Sequence, residues 1–120
     1  MEFQKSLIKE IYYTEKVDLP NQAIPQENKV VVCENLKATI ERIPNNKFFA
    51  VTGIQLNNKA TYVMYFGIDL MHLKIPQEAT IIYTLVGDNE EYSGKIKFWQ
   101  TFSDPDIGYT REYYIQSDNL

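Results

Sequence analysis

Apolar and polar residues alternate along most of the chain from residue 29 onward. In ATYVMYF, Ala60–Phe66, the side chains of Tyr62, Met64 and Phe66 fall on one side, the two-residue period of a strand. LKATIERI carries the same pattern, with Leu36, Ala38 and Ile40 against Lys37, Thr39 and Glu41. Lys29–Cys33, Phe48–Gln55 and Ala79–Val86 also read as strands, with Gly53 marking a bulge or close approach in the second. Further on, Gly94, Ile96 and Phe98 face one way and Lys95, Lys97 and Trp99 the other. In the last segment, YTREYYIQ, Tyr109, Arg111, Tyr113 and Ile115 oppose Thr110, Glu112 and Tyr114.

The breaks between these segments are rich in turn residues. PNNK at Pro44–Lys47, Asn57-Asn58, GDNEE at Gly87–Glu91 and SDPDIG at Ser103–Gly108 join neighbouring strands. Two hairpins are expected, one around LNNK and one around GDNEE. GIDLMHLKIPQE, Gly67–Glu78, breaks the alternation and reads as a turn or a half-turn of helix. The first 14 residues fit two descriptions: Leu7, Ile8 and Ile11 suit a helical stripe, and IYYT suits a short strand. EKVDLPNQAIPQENK, Glu15–Lys29, reads as a long loop or arm.

Six to seven strands joined by short loops point to an all-β fold, a small antiparallel β-barrel or sandwich with one long loop. One globular domain is expected overall, with an N-terminal segment and arm at 1–28 and the β domain at 29–120. With 44% hydrophobic and 23% charged residues, the composition supports a packed core rather than disorder.

Charge and candidate chemistry narrow the function. The net charge is −4 with no run of like charge, which argues against broad nucleic-acid binding. Cys33 is the sole cysteine, so neither an internal disulfide nor a cysteine-based metal site is available; its setting VVVCENL is that of a small buried hydrophobe. No apolar run is long enough for a membrane span. MEFQKSLIKE lacks the apolar core of a signal peptide, so synthesis in a cytoplasm is the expectation.

His72 is the only histidine, with Asp69 three residues before it; a metal needs at least one further ligand, and a rim position or protein contact is the simpler reading. Asp104 and Asp106 read as a solvated turn rather than a carboxylate pair. The serines lack nucleophile-elbow context, and no phosphate-binding glycine motif occurs. No catalytic, cofactor or metal site is assigned, and the chain is not expected to be an enzyme. Lys95, Lys97 and Trp99 on one strand face, with Arg111 and Tyr113 on the next strand, are the exception worth weighing. Basic residues beside a stacking ring are how small barrels hold single strands, and tyrosine-rich faces equally suit protein contacts.

The order of these segments resembles the small head-closure, or head–tail stopper, proteins of tailed bacteriophages, also called minor capsid proteins. The resemblance runs from about Cys33 to Gln116. It rests on LKATIERI, on YVMYFGID with its aromatic–x–Asp ending, on KIPQEATIIY, on YSGKIKFW, and on SDPDIGYTREYYIQ after an acidic loop. The chain departs from the family pattern in two places: Gly87-Asp88 is followed by Asn89-Glu90-Glu91-Tyr92, and Thr110-Arg111 stands where a pair of histidines is common.

The resemblance implies a β-barrel subunit without cofactor that associates with itself in a ring beneath the portal and adaptor proteins. Such a ring helps to retain packaged DNA, lies close to it without specific binding, and offers the tail a docking surface. It implies residence in the host cytoplasm during synthesis and then in the neck of the virion, with no membrane partner. Candidate interface residues are Asp18, Leu19, Pro20, Ile24 and Pro25 in the arm, Asp69 and His72 in the break, and Trp99, Arg111 and Tyr114 on the closing strands. The competing expectations are a small barrel that binds single-stranded nucleic acid, and a small inhibitor that sequesters a protein or nucleotide in a pocket lined by Tyr62, Tyr83 or Tyr114.

Overall fold

The alternating segments close on one another. The computed structural model describes residues 5–18, 20–21, 23–24, 26–54, 59–88, 90–106 and 108–118. The elements are β1 (Ser6–Val17), β2 (Gln26–Ile43), α1 (Asn45–Thr52), β3 (Thr61–Gly67), β4 (Thr80–Thr84), β5 (Glu91–Asp104) and β6 (Gly108–Ser117), with one 3-10 turn at Ile68–Leu70. The strands form a closed antiparallel barrel in the order β1-β2-β3-β6-β5-β4, and β4 returns to β1 through pairs from Ile8↔Tyr83 to Tyr12↔Thr80.

The inward face is what the alternation requires. Tyr62, Met64 and Phe66 of β3, Ile81 and Tyr83 of β4, Ile96 of β5, and Tyr113 and Ile115 of β6 are all buried in one cluster. Tyr62 and Tyr83 meet edge-on at 5.7 Å, as do Phe66 and Tyr113 at 5.1 Å, the geometry that sets one ring's positive edge against another's negative face.

In three segments the structure narrows or departs from the sequence reading, each for a physical reason. Ser6–Thr14 is strand, the second of the two descriptions that the sequence allowed; residues 1–4 lie outside the described residues. Ile8 and Ile11 are both fully buried, although strict alternation would send residues three apart to opposite faces. A register irregularity between Ile8 and Glu10 in the pairing with β4 absorbs the extra step. That spacing is what imitated a helical stripe. Ile8–Tyr12 is therefore a wall of the barrel, paired with β2 on one side and β4 on the other.

Second, Glu15–Lys29 is an arm built as a hairpin rather than a loop throughout, with Glu15–Val17 and Gln26–Lys29 in strand. β1 and β2 stay paired as far as Val17↔Gln26, with Lys16 directly opposite Glu27. Lys29 packs over the Tyr12 ring at 4.3 Å and pairs with Glu10. Beyond Tyr13, which still packs on the core, the two-stranded ribbon is largely exposed on both faces, so it leaves little alternation to read. The radius of gyration is 15.8 Å and the long axis 57 Å; a compact chain of this length would have a radius of about 13–14 Å.

Third, Asn45–Thr52 is helix, where a turn at Pro44–Lys47 and a strand from Phe48 were expected. Phe48 is fully buried, Val51 packs beside it, and Phe49 is 53% exposed, the one-sided burial of a short surface helix. Gly53 closes it in the left-handed region at φ 73°, its N–H donating to the Phe49 carbonyl at 2.8 Å. The helix replaces the expected hairpin around LNNK, although β2 and β3 do pair antiparallel; residues 55–58 lie outside the described residues. α1 covers the outside of the barrel. Phe48, Ile43, Val63 and Tyr114 form a second cluster there, flanked by Phe98 and Tyr65.

Two substitutions test this packing by denaturant unfolding followed with circular dichroism. Phe48→Ala is expected to cost about 3–5 kcal/mol by emptying the outer cluster. Gly94→Ala is expected to cost about 1–3 kcal/mol, because its Cβ would stand 2.8 Å from the Gln116 carbonyl oxygen, a backbone atom that cannot swing away.

Candidate functional site

The strands differ greatly in length, and that difference opens one end of the barrel. β4 spans Thr80–Thr84 and pairs with Ile8–Tyr12 of β1 on one side and Glu91–Lys95 of β5 on the other. Beyond that belt, Tyr13–Val17 pairs only with β2, and Phe98–Asp104 pairs only with β6. Two hairpins, β1–β2 and β5–β6, thus continue past the end of β4 with a vacant row between them. The chain from Ile68 to Ala79 crosses this mouth, and Leu70, Leu73 and Ile75 pack onto the core beneath it. It is fastened to β5 where pairing with β4 stops: the Glu78 N–H donates to the Ile96 carbonyl at 2.7 Å, and the Ile96 N–H donates to that of Ala79 at 2.9 Å.

A groove of about 600 Å³ remains in the vacant row. Tyr13 forms one wall, Met71 and Lys74–Pro76 the floor, and Trp99, Arg111 and Tyr113 the other wall. A bulge in β5 brings Trp99 there. Ile96 pairs with Ile115, but Phe98 pairs with Tyr114 and Trp99 with Tyr113, so the face changes at Lys97. Phe98 joins the outer cluster, and Trp99, 45% exposed, joins the groove.

Arg111 lies over the Trp99 ring at 4.6 Å. Its Nε donates to Thr101 Oγ1 at 3.2 Å, and a terminal nitrogen donates to the Tyr113 hydroxyl at 3.3 Å. The guanidinium is held flat against an aromatic wall by neutral partners, an arrangement that leaves its charge available to a ligand. Lys74 is the second cation of the lining, which contains no carboxylate among the described residues.

The other candidate residues are distributed over the molecule. Asp18, Pro20 and Ile24 lie exposed at the end of the β1–β2 hairpin, Ile24 being 79% accessible; Leu19 and Pro25 lie outside the described residues. Asp69 is exposed in the 3-10 turn and borders a separate hollow with Lys5, Lys37 and Tyr65 on the β2–β3 side. His72 is exposed in the following turn. Tyr114 is core rather than surface, 3% exposed beneath α1, with its hydroxyl donating to Glu112 at 2.8 Å.

Lys95 and Lys97 do not converge on Trp99 and Arg111 as an open basic face. Lys95 donates to Thr80 Oγ1 at 2.6 Å, and Lys97 pairs with Glu78 at 2.9 Å. Tyr62 and Tyr83 lie in the barrel core and Tyr114 in the outer cluster, so they share no pocket. Asp106 sits in the β5–β6 turn after Asp104, which ends β5. Among the described residues no three His, Cys, Asp or Glu side chains are placed to hold a metal ion. Cys33 is half-buried against the core, and burial pushes its thiol up.

Sequence reasoning missed Tyr13, Met71 and Lys74. No local signal points to them, because the groove is set by the length of β4 relative to β1 and β5, which emerges only in the fold. No protein-family model matches this chain, and comparison with curated proteins and with solved structures returns no match.

The tyrosines give a pH dependence that can be measured. Burial, reinforced by Glu41, pushes Tyr65 up to about 12, and the hydrogen bond to Asp88 pushes Tyr92 up to about 12. Burial raises Tyr83 and Tyr114 further still. A phenol raised in the fold contributes stability that is complete below its unfolded value of about 10 and is lost as pH climbs through the folded value. Ultraviolet titration is expected to show Tyr65, Tyr83, Tyr92 and Tyr114 ionising only above pH 10, together with loss of structure. Ionisation of these four at pH 10 with the fold intact would contradict the packing described.

Proposed function

We propose that this protein is a non-catalytic assembly subunit of the neck of a tailed bacteriophage. It would form a ring between the portal or adaptor and the tail, closing the head and offering a docking surface. The observation that carries this reading is the pair of hairpins that outrun a closed barrel. Closure pairs every strand on both sides over part of its length, and this limits lateral association there. The edges of Tyr13–Val17, Gln26–Ala38 and Phe98–Asp104 pair on one side only, so strand-to-strand association is directed to these overhanging lengths. A contact between an arm and a different surface of the next copy is heterologous, and heterologous contacts that close generate rings.

The resemblance noted in the sequence supplies the setting, and the absence of any family match leaves it as the reading's second support rather than its first. The net charge of −4 suits a conduit that DNA must leave, since a negative wall does not grip a negative polymer.

Analytical ultracentrifugation of the full chain across a concentration series, with electron microscopy of the largest species, tests the proposal. Reversible higher oligomers with ring-shaped particles are expected. Ile24→Glu, at an exposed arm position, is expected to weaken association about tenfold or more, an energetic change of roughly 1.4 kcal/mol, with an unchanged circular dichroism spectrum. A monomer at every concentration, or oligomers indifferent to arm substitutions, would count against it.

A further inference from the structure

The vacant row beyond β4 combines a groove with a free strand edge. We propose that it takes an extended segment of a partner protein, added as a strand along the free edge of β5, with carboxylates and apolar side chains at alternate positions. This goes beyond ring formation and does not depend on it.

Three observations converge on that ligand. The first is backbone. Phe98–Ser103 is held by β6 on one side and, among the described residues, has no backbone partner on the other. An added strand satisfies such groups, and its register sets which side chains face which way. The second is charge. Lys74 and Arg111 line the groove and no described carboxylate does, in a chain whose net charge is −4. The third is the two-faced character of the edge. Trp99 and Thr101 lie on the groove face, across from Tyr113 and Arg111, while Phe98 and Phe102 lie on the other face. Phe102 is 47% exposed there.

A strand laid beside β5 presents alternate residues to these two faces. Those on the groove side meet Arg111 and Lys74 and are best carboxylates, because a guanidinium takes a carboxylate bidentately. Those on the other side meet Phe102 and are best apolar. Single-stranded nucleic acid fits less well. The Trp99 face that a base would stack on already carries the Arg111 guanidinium, and Lys95 and Lys97 are engaged with Thr80 and Glu78.

Trp99 is the only tryptophan, so its fluorescence reports on the site directly. The probe is the blocked peptide acetyl-Glu-Val-Glu-Val-Glu-Val-amide, titrated into the full chain at low ionic strength. The controls are the Lys-for-Glu peptide and oligothymidylate, with sedimentation run at the same protein concentration. A saturable change with the Glu peptide and none with the Lys peptide is expected, together with slowed amide exchange over residues 98–103. Arg111→Glu and Lys74→Glu are each expected to weaken binding about tenfold or more, as removing a charge partner does. Lys74 is exposed, so its variant keeps the test open if Arg111→Glu fails to fold. Equal binding of both peptides, binding of oligothymidylate alone, or no signal at millimolar peptide with folded protein overturns the proposal. Self-association that Lys74→Glu abolishes would assign the groove to a second copy and overturn it as well. Loss of ring formation with peptide binding intact would sink the assembly reading and leave this one standing.

Discussion

β4 has five residues, while the strands it pairs with, β1 and β5, have twelve and fourteen. Hydrogen-bond pairing in a sheet is local, so a barrel closes only over the length of its shortest strand. Everything beyond that belt becomes either a ribbon or a hole. Here the excess length of β1 and β2 becomes one projecting hairpin, and that of β5 and β6 becomes another. The crossing from Ile68 to Ala79 fills the mouth only partly. It covers the core with Leu70, Leu73 and Ile75 and then must turn down into β4, which leaves the row between the hairpins unoccupied.

The molecule manages this with two hydrophobic layers instead of one. The inner cluster fills the barrel with interlocked tyrosine, phenylalanine and isoleucine side chains. The outer one lies between α1 and the far face of β3 and β6, with Phe48 over Val63 and edge-on to Tyr114 at 6.2 Å. β3 and β6 are consequently buried on both faces, and this central pair anchors the more exposed hairpins. The bulge at Lys97 links the two layers. By shifting β5 one step it sends Phe98 to the outer cluster and Trp99 to the groove, so one irregularity serves both stability and the candidate site.

The groove combines a fixed cation with a free strand edge. Arg111 is held by Trp99, Thr101 and Tyr113, none of which neutralises it. Preordering a guanidinium in this way reduces the conformational entropy lost on binding. An assembly role and a peptide-binding role draw on the same architecture, since both use the strand edges that closure of the barrel leaves over.

Much of this was legible in the order of residues. The all-β class, the inward faces of β3 and β6, and the β4–β5 hairpin follow from period-two alternation and from the turn residues around Gly87-Asp88, which are local properties. Trp99 and Arg111 were already conspicuous as exposed-type residues on adjacent strands. Three things were not legible, for one common reason: each depends on what packs against a segment rather than on the segment itself. Ile8 and Ile11 imitate a helix until β4 is present to demand a register shift. FFAV reads as a strand until the apolar outer face of β3 draws Phe48 and Val51 down as a helix. Beyond Tyr13 the ribbon as far as Val17 is largely exposed and carries little pattern, yet pairing with β2 holds it extended. The groove belongs to this last group, because it is made by the absence of a strand. Local chemistry set the periods of the elements, while their relative lengths and bulges, settled in packing, placed Lys74 and Tyr13 opposite Trp99.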